Sequence, residues 1–230
     1  MTISLSDAGK RFNREWIFRH FTYTFEEGKS YAIIGPNGSG KSTLLQVLSG
    51  AMHANEGKVQ YEVDSQKSIV DSQSSIQHPV SRIQHPATHT FVIEEKFYNQ
   101  ISICAPYLEV VEEMSLKEFL DFHSGFKPLL PGLTLDNIIS IIGLEKATNK
   151  QIRYYSSGMK QRVKLAQCIF SDVPVVLLDE PCTNLDAAGF QLYYQLINDY
   201  CKNRLVVVSS NDEMEHRFCN ERINISDYKK

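Results

Sequence analysis

The nine residues Gly35-Pro36-Asn37-Gly38-Ser39-Gly40-Lys41-Ser42-Thr43 carry the spacing Gly-x4-Gly-Lys-Ser/Thr, a pattern suited to holding a phosphate. Its glycines let backbone N–H groups turn inward around an anion. A helix beginning just after them would add its positive N-terminal end. In that arrangement Lys41 is expected to reach the outer phosphates as a point charge, and the Ser42 hydroxyl to bind Mg²⁺. A second set closes an apolar run, where Val175-Val176-Leu177-Leu178 is followed by Asp179-Glu180. A buried strand ending in adjacent carboxylates is expected to expose both at the carboxyl edge of a sheet, where open α/β sheets bind ligands. There Asp179 would hold Mg²⁺ through water, and Glu180 would orient or deprotonate an attacking water. A third segment, Ser156-Ser157-Gly158, opens a helical pattern with a cap-like serine, offering a second anion-binding helix terminus. Taken alone, the acidic pair also reads as a solvated strand end and the serine segment as an ordinary capped helix.

These groups need elements to position them. Ile3 to Ser6 and Phe21 to Phe25 alternate as half-buried strands. Ser30 to Ile34 is a short apolar strand that stops at the glycine-rich loop, and Ser42 to Ser49 reads as the helix after it, ended near Gly50. Thr90 to Ile93 and Gln100 to Cys104 have strand character. Ser115-Leu116-Lys117-Glu118 is a capping-box signal, Leu135 to Ile142 suggests a second helix closed by Gly143, and a third follows Ser157-Gly158. Val173 to Leu178 and Leu205 to Val208 read as buried strands, and Leu192 to Tyr200 as a helix between them. Strands apolar on both faces that alternate with helices imply a parallel sheet covered on both sides. The expected layout is an α/β core over 1–105 and 153–230, with a helical subdomain inserted over about 106–152.

Composition narrows the function classes. Of 230 residues, 42% are hydrophobic and 22% charged, a balance that excludes a disordered or fibrous chain. Lys and Arg total 24 against 27 Asp and Glu, which does not favour a nucleic-acid binder. No apolar run approaches the roughly 20 residues of a membrane-spanning helix, and no secretory signal is visible at Met1 to Asp7. The five cysteines are scattered without a Cys-x-x-Cys pair, so reduced thiols in a cytosolic protein are expected. The stretch from about 64 to 90 is rich in Ser, Gln and His and reads as a surface excursion. Pro79 and Pro86 follow two of its histidines (His78, His85, His89) and exclude a helical His-x3-His metal face.

At this point the chain resembles the ATP-binding domain of ABC (ATP-binding cassette) proteins over nearly its whole length. Tyr155-Ser156-Ser157-Gly158-Met159, followed by Lys160-Gln161-Arg162, is similar to the family's signature, usually Leu-Ser-Gly-Gly-Gln, and lies about 20 residues before the acidic strand end. Asp179-Glu180-Pro181-Cys182-Thr183-Asn184-Leu185-Asp186 resembles the Walker B motif running into the D-loop. The resemblance implies a P-loop NTPase fold, with a mostly parallel sheet, an N-terminal antiparallel β subdomain and an inserted α-helical subdomain. It implies ATP and Mg²⁺ as ligands and ATP hydrolysis as the reaction. It also implies that two domains pack head to tail, in a homodimer or a heterodimer with another ABC subunit. Each ATP then sits between one chain's P-loop and the other's signature helix, where the γ-phosphate acts as glue that hydrolysis removes. Phe12, in Lys10-Arg11-Phe12, occupies the place of the ring that stacks on adenine, with Trp16 as second choice. Asp186 would contact the partner chain.

Two departures stand out. Where the family usually has a histidine contacting the γ-phosphate, this chain has Asn211, whose amide can donate a hydrogen bond but cannot carry charge. Where the family has a glutamine at the start of its helical subdomain, this chain has Ala105-Pro106-Tyr107. The expected function is an ATPase subunit that drives a separate transmembrane permease through ATP-dependent closure and opening of the dimer. It would sit at the cytoplasmic face of the membrane, with the helical subdomain as docking surface. The alternative is a soluble ATP-gated clamp or assembly factor without transport, suggested by the missing glutamine and histidine.

Overall fold

The computed structural model describes residues 1–63, 90–91 and 97–229. The histidine-rich stretch, its Ile-Gln-His-Pro repeats and the expected strand residues Val92 and Ile93 lie outside the described residues.

In chain order, β1 (Thr2–Phe12) and β2 (Glu15–Phe25) form an antiparallel pair; β3 (Ser30–Ile34) leads through the glycine loop to α1 (Lys41–Leu48). Then come β4 (Glu56–Val63), β5 (Thr90–Phe91) and β6 (Ile101–Cys104). The inserted helices α2 (Leu116–Ser124) and α3 (Leu135–Ile141) follow, then α4 (Ser157–Ile169), β7 (Val175–Asp179), α5 (Ala187–Tyr200), β8 (Leu205–Ser209), a short α6 (Glu213–His216) and β9 (Glu221–Asn224). One sheet is antiparallel in the order β2-β1-β4-β5, and the other has the order β6-β7-β8-β3-β9 with every neighbouring pair parallel. The expected fold class is therefore present.

The alternation over Phe21 to Phe25 has a direct cause. Phe21 and Phe25 are fully buried while Thr22 and Thr24 face solvent, as period-2 geometry requires. β1 runs well beyond the expected Ile3–Ser6, because bulges around Asp7 interrupt the alternation without ending the strand. β7 and β8 are buried along their whole length. Val176, Leu178, Val206 and Val208 pack towards α4 and α5, whereas Val175, Leu177, Leu205 and Val207 pack towards α1 and the aromatic face of β2. Each such burial is worth about 1.5–3 kcal/mol, and the two-sided packing is why these strands read as unbroken apolar runs.

The capping box forms: Ser115 Oγ accepts from Glu118 N, and Glu118 Oε2 accepts from Ser115 N at 2.8 Å. α5 begins at Ala187, five residues before the expected Leu192, because Asp186 caps it by accepting from Gly189 N at 2.8 Å. The five cysteines are free; burial pushes Cys168 up to about 12 and Cys201 up to about 11, so these thiols are inert. No helix among the described residues is long and apolar enough to cross a membrane.

Candidate active site

Strand order brings the chemistry together. β8 lies between β7 and β3, and its last residue, Ser209, pairs with Asp179 on one side and Ile33 on the other. The loops after β3, β7 and β8 thus emerge side by side at the carboxyl edge of the sheet. They carry Gly35–Gly40 (which leads into Lys41–Thr43 of α1), Glu180–Asp186 and Ser210–Asp212 respectively.

The first loop is shaped as a cradle. Gly35, Gly38 and Gly40 have φ of 147°, 74° and 107°. At Gly40 an added β-carbon would come within 2.3 Å of Ile17 Cγ2 on β2, so only glycine fits there. No side chain caps α1, which leaves its first-turn N–H groups available to an anion. Ser39 Oγ is buried and finds no hydrogen-bond partner among the described residues. A buried hydroxyl without a partner is costly, and a phosphate oxygen in this loop would satisfy it. Lys41 is 5% exposed. Its Nζ donates to Gly35 O at 2.8 Å, Pro36 O at 3.2 Å and Asn211 Oδ1 at 3.0 Å. Burial holds its ammonium below the ordinary lysine range, partly offset by the nearby Glu180 and Asp179 carboxylates.

The acidic pair divides. The expectation that both carboxylates lie exposed is corrected for Asp179, which is 2% exposed and accepts from Ser209 Oγ at 2.7 Å. Ser209 of β8 lies directly across from it, so Asp179 forms the floor of the edge. Glu180 is half-buried at the rim, and its φ of 43° turns the chain sharply out of the sheet. Its N–H donates to Ser209 O at 2.9 Å, and its carbonyl accepts from Thr183 N and Thr183 Oγ1.

Asn211 is exposed and bridges two loops, with its Nδ2 donating to Asn37 Oδ1 and its Oδ1 accepting from Lys41. Pro106 follows β6, and its carbonyl accepts from Lys164 Nζ at 3.1 Å. Phe12 is 47% exposed with Lys10 Nζ 5.6 Å from its ring centroid, while the guanidinium groups of Arg11 and Arg19 stand 5.3 Å and 4.6 Å from the Trp16 ring centroid.

The signature segment stands apart from the phosphate loop. Ser156 caps α4 by accepting from Met159 N at 3.3 Å, and Ser156 and Ser157 are exposed. They border a cavity of about 580 Å³ that Lys146, Arg162, Asn184 and Asp186 also line, with none of Gly35–Thr43 in its wall. Arg162 Nη2 lies 3.6 Å from Asp186 Oδ1, which ties the helix to the loop after β7. The N-termini of α1 and α4 therefore face different spaces of one chain.

The family model described as ABC transporter matches residues 18–183. The chain belongs to the ABC transporter family. Among its relatives, the uncharacterized ABC transporter ATP-binding protein YdbJ of Bacillus subtilis is 28% identical over 194 residues, 82% of this chain and 54% of that protein. The thiamine import ATP-binding protein ThiQ of Salmonella typhimurium is 30% identical over 228 residues, 92% of this chain and 84% of that protein. This chain thus spans about half the length of one ABC relative and most of another. The ATP-binding cassette MJ0796, solved as a dimer in a post-hydrolysis state with ADP and Pi, matches with a TM-score of 0.72 at 19% identity, covering 97% of this chain and 95% of that one. At that identity the likeness shows the ABC cassette fold.

Sequence reasoning missed Ser209, Gln161 and Glu215, all buried against the loop after β7. Their signal was faint: Ser209 extends an apolar strand by one polar residue, Gln161 is a polar letter inside a helical pattern, and Glu215 lies beyond the last expected strand, where no element was expected.

Proposed function

We propose that this chain is the ATP-binding and ATP-hydrolysing subunit of an ABC transporter, acting at the cytoplasmic face of the membrane on a separate transmembrane permease. The observation that carries this reading is the convergence of Lys41, Asp179, Glu180 and Asn211 around Ser209 at one sheet edge, while Ser156–Gly158 faces a separate cavity. One chain supplies half of each of two sites, so two copies, or this chain and another ABC subunit, complete them.

In this reading the glycine-loop amides, Ser39 and Lys41 hold the phosphates. The oxygen donors of Ser42 and Asp179 fit Mg²⁺, which when bound would neutralise phosphate charge. Glu180, at the rim, orients the attacking water and takes its proton. The water oxygen bonds to the γ-phosphorus as the bond from that phosphorus to the β–γ bridging oxygen breaks. Asn211 offers a neutral donor to the γ-phosphate. A ligand anion shared with the partner's Ser156 helix terminus draws the dimer closed, and phosphate release lets it open.

The test is direct. Saturating Mg-ATP should raise the thermal midpoint of wild type and leave Lys41→Ala nearly unmoved, and Glu180→Gln should accumulate an ATP-bound dimer. Unchanged turnover in Glu180→Gln removes that residue from its role. The second reading, a soluble ATP-gated clamp, is favoured by Asn211 and Pro106 in place of the family's histidine and glutamine. Co-purification with membranes through one multi-span partner separates the two.

A further inference from the structure

A single peptide plane directly after Glu180 is gripped at both ends by buried side chains. Its carbonyl, Pro181 O, accepts from Gln161 Nε2 at 2.7 Å. Its N–H, that of Cys182, donates to Glu215 Oε1 at 2.9 Å. Gln161 is 4% exposed and stands on α4, one turn beyond the exposed Ser156 terminus, with its Nε2 also 3.7 Å from Cys104 Sγ at the end of β6. Glu215 is 5% exposed and stands on α6, four residues after Asn211. Its Oε2 has no hydrogen-bond partner among the described residues. A donor on the carbonyl and an acceptor on the N–H polarise the same amide in the same direction, so each bond strengthens the other.

The location matters because Glu180 holds φ of +43°, a left-handed backbone that a residue with a β-carbon adopts only under constraint. Upstream, its N–H is fixed to Ser209 O. Downstream, only Pro181 separates it from the gripped plane, and the proline ring fixes its own φ. The orientation of the plane therefore propagates to Glu180 with little slack.

We propose that Gln161 and Glu215 are positioning residues for ATP hydrolysis, which set Glu180 by clamping the Pro181–Cys182 peptide between the signature helix and the segment that carries Asn211. This rests on the hydrolytic reading above and adds a link to it. A ligand touching the Ser156 terminus bears, through α4 and Gln161, on the carboxylate serving this chain's own phosphate loop.

The experiment compares Gln161→Leu, Glu215→Leu, their double variant and the conservative Glu215→Gln, which keeps an acceptor for Cys182 N–H. Mg-ATP Kd, kcat and thermal midpoint are measured for each. Each leucine variant is expected to lose about tenfold or more in kcat with Kd within about twofold of wild type, because small displacements of a catalytic group are costly. Glu215→Gln is expected to stay within about threefold of wild type, and the double variant to fall no further than the worse single one, since both cut the same link. Gln161→Met and Glu215→Met, which keep side-chain length, replace any leucine variant that does not fold. Wild-type kcat in both single variants, a Kd that worsens in step with kcat, or losses that multiply would each overturn the clamp. A wild type that binds Mg-ATP without turnover refutes the hydrolytic reading alone. The clamp is then read from ATP-driven self-association, and variants that associate as wild type does overturn it.

Discussion

Lys41 Nζ donates to Asn211 Oδ1 at 3.0 Å, joining the loop after β3 to the loop after β8. The acceptor is a neutral amide, so the ammonium is held in place without being neutralised. Asn211 in turn donates to Asn37 Oδ1, which closes a bridge over the phosphate loop. A triphosphate entering the loop would displace hydrogen bonds from Lys41 to the neutral carbonyl oxygens of Gly35, Pro36 and Asn211, which is a contest that an anion wins.

Exchanging the amide for a carboxylate should reverse that contest. Asn211→Asp would pair an anion with Lys41 and set it against the γ-phosphate, so the Kd for Mg-ATP should rise by ~10- to 100-fold, the value of a hydrogen bond between charged groups. Asn211→Ala removes the bridge without adding charge, and should keep Kd within about threefold while turnover falls. Titration with a fluorescent nucleotide measures both; tighter binding by Asn211→Asp would contradict this account of Lys41.

Gly40 offers a test of the cradle independent of chemistry. Gly40→Ala meets both an unfavourable φ of 107° and Ile17 Cγ2 at 2.3 Å. The cost should be at least about 1–3 kcal/mol, a fall of about 2–12 °C in thermal midpoint for a domain this size. Gly38→Ala, with φ of 74° and nothing within 4 Å, should cost less. Ile17→Ala in the Gly40→Ala background should recover part of the loss, because it removes the clash and leaves the strain. Equal costs at the two glycines would mean that the contact with β2 does not matter.

The phosphate loop, the acidic strand end and the capped signature helix were legible because each is a short local pattern whose residue types have few other uses together. The parallel core was legible because β7 and β8 are apolar on both faces. What stayed hidden depends on neighbours far away in sequence. The burial of Asp179 goes with its pairing to Ser209 on β8, 30 residues away in sequence, which no local pattern encodes. The length of β1 was masked by bulges around Asp7, and the first turn of α5, Ala187-Ala188-Gly189, has no large apolar residue to mark it. Gln161 looks like a solvated helix position, and Glu215 falls in no expected element, until the fold buries both.

Ser209 holds Asp179 by a hydrogen bond of 2.7 Å in a buried setting. Ser209→Ala would leave that carboxylate short of a donor, at a cost of about 1.5–3 kcal/mol in stability. A less firmly oriented Asp179 should also raise the Mg²⁺ concentration for half-maximal ATP turnover by about three- to tenfold. Titrating Mg²⁺ at fixed ATP, alongside chemical denaturation, checks both effects. A Mg²⁺ requirement equal to that of wild type would show that Ser209 stabilises the sheet edge without serving a metal.

Glu215 gives the protein a pH dependence of definite sign. Burial raises its carboxyl above the ordinary 4.5; the Asp212 and Glu180 carboxylates add to the rise, and the neighbouring Ser210 hydroxyl and the Cys182 N–H that donates to it only partly offset it. An acid whose folded pKa lies above its unfolded value contributes stability that is fully present below about pH 4.5 and is lost as pH rises through the folded pKa. Glu215→Gln cannot ionise, so it escapes that loss while keeping an acceptor for Cys182. Between pH 4.5 and 8 the stability of Glu215→Gln relative to wild type should therefore shift in the variant's favour, then level off. Any cost of burying the new amide N–H groups is the same at every pH and drops out of this slope. Urea denaturation at several pH values reads it directly; a difference that stays constant, or that moves towards wild type, would mean that the folded protein stabilises the Glu215 carboxylate.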